Sequence, residues 1–204
     1  GGTGLLEVRG WCDILQDWLL GELLSRVNEL RGSETDRFLK FFAILNTLLE
    51  GKGLGRVIIV GGFAVEIYSG RAYRTGDVDI VVEGGAVDLV REVLRRISDS
   101  GLRIYLPRIR EISEKGIDVV GTVYNRRKPP IRLQVDSYWV YVIPPEEVVL
   151  TYLEAWKFWN SVEDRNKAVL VYCAQKDRMD LKYLTEEAET RGVKDSLDKV
   201  KAYC

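Results

Sequence analysis

The sequence contains no histidine. That excludes a Ser-His-Asp triad, an HExxH zinc site, a histidine phosphorelay and a histidine general base. Carboxylates, Lys, Arg, Tyr or Cys must carry any chemistry. Cysteine is nearly as scarce: Cys12, Cys173 and Cys204 stand far apart and form no CxxC. The expectation is a reduced cytosolic chain with incidental thiols, not a disulfide framework or a zinc ribbon. Met179 is the single methionine, so Gly1-Gly2 read as a processed or engineered start. No signal peptide is read at the start and no run approaches the roughly 18 apolar residues of a membrane span, so a cytoplasmic protein with no membrane partner is expected. Neither sign of charge predominates: 30 basic and 31 acidic residues leave a net charge of −1. That excludes a globally basic nucleic-acid coat protein and leaves a local basic groove open. Hydrophobic content of 46% excludes disorder. Few Gln, Asn, Met and Cys beside many Glu, Lys and Arg read as a thermophile's composition.

Three regions are read along the chain. Residues 1–52 form an N-terminal helical extension. In Asp13–Leu30, Leu15, Leu19, Leu23, Val27 and Leu30 recur at helical spacing, and Ser33 can cap a second helix carrying Phe38, Phe41, Phe42, Leu45 and Leu49. Trp11, Trp18, Phe38 and Phe42 are more aromatic surface than two isolated helices can hide, so an internal or external interface must cover them. Residues 53–143 form the core. Val57–Val60 reads as a buried strand, Phe63–Tyr68 as a short helix, Asp77–Val82 as a strand and Ala86–Ser100 as an amphipathic helix. Leu102–Leu106, Ile117–Tyr124, Ile131–Asp136 and Trp139–Val142 read as further strands. Residues 144–204 form a C-terminal helical region that starts at Pro144-Pro145, with helices over Glu146–Phe158, Glu163–Ala174, Asp177–Arg191 and after Gly192. The fold class is α+β, with a small mixed sheet between helices.

Two motifs carry chemistry. A buried strand followed by Gly61-Gly62 and a helix suits a phosphate, since glycines allow close approach and the helix start attracts anions. A tight turn is the plainer explanation of that pair alone. In Asp77-Val78-Asp79, two aspartates two apart on a strand project from one face, while Val78, Ile80 and Val82 line the other. A solvated strand face would explain an isolated pair. Side by side, two carboxylates repel by about 4 kcal/mol at about 4 Å for an effective dielectric near 20. A divalent ion such as Mg²⁺ or Mn²⁺ removes that cost.

Together, Gly61-Gly62-Phe63-Ala64 and Arg74-Thr75-Gly76-Asp77-Val78-Asp79 resemble the nucleotidyltransferase superfamily of the polymerase-beta type, and most closely its AbiEii-like branch, which contains toxins of toxin–antitoxin pairs. The resemblance covers about residues 54–190. It extends to Pro145-Glu146-Glu147-Val148-Val149 and Gln175-Lys176-Asp177-Arg178-Met179-Asp180-Leu181. It implies transfer of a nucleoside monophosphate from an NTP to an acceptor hydroxyl on a tRNA 3′ end, a protein or a small molecule. It implies Mg²⁺ or Mn²⁺ on Asp77 and Asp79, with Gly61 and Gly62 at the phosphates. Where relatives carry a lysine on the helix after Pro-Glu stands Tyr152, with Lys157 more than a turn beyond. Lys176 either meets the nucleotide or, with Asp177, simply opens a helix. Arg71 and Arg74 lie in the loop before the aspartates and suit phosphate oxygens; Thr75 either touches the nucleotide or fixes the turn.

A third carboxylate is expected from a neighbouring strand. Asp136, ending the alternating run Ile131–Asp136 shortly before Pro144, is preferred; Asp118, near the start of its strand, is the alternative. Arg126-Arg127-Lys128 and Arg132, with Tyr138, Trp139 and Tyr141, either contact single-stranded RNA or pack internally. The rival function is a non-catalytic binding or regulatory module of a two-protein system, with an antitoxin partner or self-association through the N-terminal helices.

Overall fold

Ser33 starts the second helix as its side chain and that of Asp36 imply: each accepts the other's backbone N–H in a reciprocal cap. The computed structural model describes residues 3–100 and 103–204, and among these the chain forms eight α-helices and a seven-stranded mixed sheet. No helix among the described residues is long and apolar enough to cross a membrane. In chain order the elements are α1 (Thr3–Ser25), α2 (Glu34–Gly51), β1 (Arg56–Val60), α3 (Gly61–Tyr68), β2 (Asp77–Glu83), α4 (Val87–Ile97), β3 (Ser98–Ser100) and β4 (Tyr105–Pro107). They continue with β5 (Gly116–Gly121), β6 (Ile131–Val135), β7 (Tyr138–Val142), α5 (Pro145–Trp159), α6 (Val162–Gln175), α7 (Leu181–Thr190) and α8 (Lys194–Lys201). Strand order is β3-β4-β5-β2-β1-β7-β6. Contacts divide the chain into two units, one of Gly1–Ile58, Gly76–Tyr124 and Arg132–Tyr141, the other of Ile59–Thr75, Asn125–Ile131 and Val142–Cys204.

The first unit holds most of the sheet. Its apolar side chains Val57, Ile58, Val78, Ile80, Ile117 and Val140 are fully buried, as are Phe38, Phe42 and Leu49 of α2. Asn46, also fully buried, accepts the N–H of Val57 at 2.7 Å and donates to the Trp139 carbonyl at 3.0 Å. The N-terminal helices are therefore integral to this unit, although Trp11 and Ile14 remain exposed on α1. Helix α4 stops at Ile97, three residues earlier than its apolar period implies. Ser98, Asp99 and Ser100 favour the backbone outside a helix, and here they pair with β4. Leu102, expected in the next strand, lies outside the described residues.

The second unit packs α5 against α6, with Val149, Leu150, Leu153, Ala168 and Val171 fully buried. Asn160 takes the left-handed conformation that turns α5 into α6. The late helix begins at Leu181, not Asp177, because Asp180 caps it by accepting the Tyr183 N–H at 3.0 Å. The cysteines depart from expectation: Cys173 of α6 and Cys204 form a disulfide, their Cα atoms 5.7 Å apart. Spacing could not reveal this, since only the return of the last helix brings Cys204 to α6. Closing a loop with a sequence separation of 31 restricts the unfolded chain by about 3 to 4 kcal/mol on a chain-entropy model. Reduction, or Cys173→Ser, should lower the free energy of unfolding by up to that amount in denaturant titrations. An unchanged unfolding midpoint would contradict the pairing.

Candidate functional site

The carboxylates of the first unit are brought together by strand register. β2 and β5 run parallel, with Asp77 opposite Gly116 and Asp79 opposite Asp118. Residues two apart on a strand share a face, and so do register partners on neighbouring parallel strands about 4.8 Å away. Asp77, Asp79 and Asp118 therefore crowd one face, with Val78, Ile80 and Ile117 buried on the other. Burial grades through the trio: Asp77 is exposed, Asp79 half-buried and Asp118 buried. Gly116 leaves the space beside Asp77. A Cβ there would stand 2.6 Å from Asp77 Oδ1 and collide with Ile104. The N–H of Gly116 donates to the Gly76 carbonyl at 2.9 Å and fixes β5 against the start of the aspartate strand.

Electrostatics records the crowding. Burial, then Asp118 and Asp77, raise the Asp79 carboxyl above its ordinary value, while Arg103 opposes them. Arg103 Nε lies 3.3 Å from Asp118 Oδ2. Among the described residues, no group of three or more carboxylate, thiol or imidazole side chains is drawn tightly enough around one point to hold a metal as it stands. By chemistry the trio fits a hard divalent cation: its donors are anionic oxygens, and the charge that raises Asp79 is the charge such an ion would relieve.

Asp136 lies elsewhere. It follows edge strand β6, separated from β2 by β1 and β7, so three strand spacings, about 14 Å, divide it from Asp77 and Asp79, and a fourth from Asp118. It adopts a left-handed turn conformation, φ 53°, and pairs with the buried Lys40 of α2. Asp118, at the expected strand start, lies opposite Asp79 in the parallel register, as Asp136 does not. Only the strand order separates the two candidates, and periodicity along one strand does not contain it.

In the second unit, Gly61 has φ 66° and opens α3, which no side chain caps. A Cβ on Gly62 would meet Thr75 Oγ1 at 3.2 Å and the Tyr73 ring at 3.5 Å. The loop that follows is held by Glu66, which is fully buried. Glu66 accepts the Thr75 N–H at 2.9 Å and pairs with Arg74 at 3.4 Å. Arg71 takes a left-handed conformation, φ 70°. Lys157 is tied to Asp195 at 2.8 Å and donates to the Gly192 carbonyl at 2.6 Å. Lys176 donates to the Cys204 carbonyl at 3.0 Å.

Lys167 was not foreseen. Its ammonium lies over the rings of Tyr152 and Tyr73, 5.0 and 5.3 Å from their centroids, and 3.0 Å from Asp164. Burial disfavours its charge, but the Asp164 hydrogen bond and the two tyrosines outweigh burial and raise its pKa. A cation thus sits on α6 beside Tyr152, the position where the resemblance leads one to expect lysine; fifteen residues of sequence hid it.

Two cations of the basic loop have partners within the second unit. Arg127 pairs with Glu187 at 2.8 Å and lies over Tyr183, while Lys128 meets Glu146 at 3.5 Å and Asp180 at 3.7 Å. In the first unit Arg132 stacks on Trp139, whose indole donates to Glu50 at 2.8 Å. Phe158 and Trp159, by contrast, are exposed. No family model matches the chain, and no curated protein matches it either.

The raised carboxyl makes a prediction. A group whose pKa is raised in the folded state contributes stability below its unfolded value, and that contribution is lost as pH rises through the folded value. Asp79 ordinarily titrates near 3.8, so without divalent ions its own contribution to stability should be lost as pH climbs above about 4. Asp79→Asn should flatten that part of the profile and raise the melting temperature at neutral pH. A lower melting temperature in the variant, at neutral pH and without metal, would contradict the crowding.

Proposed function

We propose that this chain is a metal-dependent nucleotidyltransferase that moves a nucleoside monophosphate from an NTP to an acceptor hydroxyl. The observation that supports it most is the register pairing of Asp79 with Asp118 beside Asp77. Asp77, Asp79 and Asp118 would hold Mg²⁺ or Mn²⁺, which when bound lowers the charge barrier to attack at phosphorus and to departure of pyrophosphate. In the transfer, the acceptor oxygen bonds to the α-phosphorus and the bond to the bridging oxygen breaks. The acceptor's proton passes to a carboxylate oxygen of the trio. Within the second unit, taken by itself, the uncapped start of α3 at Gly61-Gly62, with Thr75, Arg71 and Arg74 in the following loop, suits phosphate oxygens.

The acceptor is an RNA 3′ end, a protein or a small molecule. Action as the toxin of a toxin–antitoxin pair in the cytoplasm fits this reading. The disulfide is compatible with such a setting in a thermophile, whose intracellular proteins can carry them. Trp11 and Ile14 are exposed apolar side chains open to an antitoxin partner or a second copy. Tyr152, in place of a lysine, favours a second reading: a nucleotide-binding module without transferase activity.

Incubation with each α-labelled NTP, Mg²⁺ or Mn²⁺, and total RNA or lysate tests the enzyme. Label transfer should occur with at least one nucleotide, be abolished in Asp118→Asn, and stay within a few-fold of wild type in Asp136→Asn. A nucleotide-dependent rise in melting temperature without any transfer would favour the binding module. Loss of transfer in Asp136→Asn with full activity in Asp118→Asn would return the third carboxylate to Asp136.

A further inference from the structure

Arg103 stands just before β4, the neighbour of β5, and its position is unusual for a surface arginine. Its Nε is 3.3 Å from Asp118 Oδ2, yet 77% of its side chain is exposed while 12% of Asp118's is. The contact is therefore an ion pair on a largely solvated guanidinium, without the two parallel hydrogen bonds that make arginine–carboxylate bridges strong. The same charge is what draws the Asp79 carboxyl down against burial, Asp118 and Asp77. Neighbouring cations are engaged elsewhere: the fully buried Lys115 with Glu34 at 2.8 Å, Arg108 with Asp99 at 3.2 Å, and Arg37 with Glu114.

We propose that Arg103 is the resident counter-ion of the carboxylate trio and competes with the divalent cation for Asp118. This rests on the reading of the trio as a metal site. A guanidinium on Asp118 takes up one of the oxygens a metal needs and adds a positive charge beside it. A single charge and a double charge about 6 Å apart in a water-like medium repel enough to weaken binding about tenfold. A free divalent ion then binds poorly. An ion that arrives on a nucleotide polyphosphate binds well, because its anionic oxygens give the displaced guanidinium a new partner. Arg103 thereby couples filling of the metal site to arrival of nucleotide and keeps the empty trio from carrying its full negative charge.

The test is titration of the full chain with Mn²⁺ alone, followed by the paramagnetic signal of the free ion and by calorimetry. It compares wild type, Arg103→Gln, Arg103→Lys and Asp118→Asn at low ionic strength. Arg103→Gln should bind Mn²⁺ about tenfold more tightly than wild type, and the gap should narrow in about 0.5 M salt. Arg103→Lys, which keeps the charge, should stay within about twofold of wild type, and Asp118→Asn should bind weakest. Measurable wild-type binding with equal or weaker affinity in Arg103→Gln overturns the proposal and leaves the metal site standing. No Mn²⁺ binding in wild type or Arg103→Gln, with both folded, overturns the metal site and the proposal together.

Discussion

Repulsion among three carboxylates on one face of two parallel strands is the constraint around which the first unit is arranged. Asp79 and Asp118 are locked side by side by the β2–β5 register, and Asp77 projects from the same face two residues before Asp79. Nothing in packing requires acids there: the opposite face of the same strands, with Val78, Ile80 and Ile117, already anchors the sheet. Gly116 is tolerated within a strand because a side chain at that position would push Asp77 aside. Arg103 supplies partial neutralisation from the solvent side. A chain that raises the pKa of one of its own carboxyls in this way gives up stability at neutral pH, which folded proteins concede mainly where chemistry needs it.

Buried acids of the second unit make the contrast plain. Glu147 is fully buried and receives Arg191 at 2.6 Å, the Lys128 N–H at 3.2 Å and the Tyr183 hydroxyl. Glu66 is equally buried and takes Arg74 and the Thr75 N–H. These carboxylates are matched by cations and amides, the arrangement that makes a buried charge tolerable. They shape the loops around the start of α3 and the basic segment 126–128 and so act as struts. The trio is built otherwise, from like charges facing one another across two strands.

Local chemistry was legible in the residues themselves. The Ser33 cap, the proline start of α5, the Gly61-Gly62 turn and the shared face of Asp77 and Asp79 follow from rules that act within a few residues. What was not legible depended on separations that no local period encodes. Asp136 and Asp118 each end or begin a strand in polar company, and the placement of β5 beside β2, with β6 at the far edge, favours Asp118. Lys167 reaches Tyr152 across a helical turn-back at Asn160, and Cys204 reaches Cys173 only after α7 and α8 have returned the chain. The acidic partners of the basic loop, Glu146, Glu187 and Asp180, lie 18 to 60 residues away in sequence, beyond the reach of any local pattern.

The central claim is that the β2–β5 carboxylates form a divalent-cation site. Crystals of the chain soaked in Mn²⁺ and measured for anomalous scattering test it most directly. The account predicts an anomalous peak within coordination distance of Asp79 and Asp118 oxygens, with Arg103 moved off Asp118. A peak at Asp136 with none at the trio, or an unchanged Arg103–Asp118 pair at saturating Mn²⁺, would contradict it.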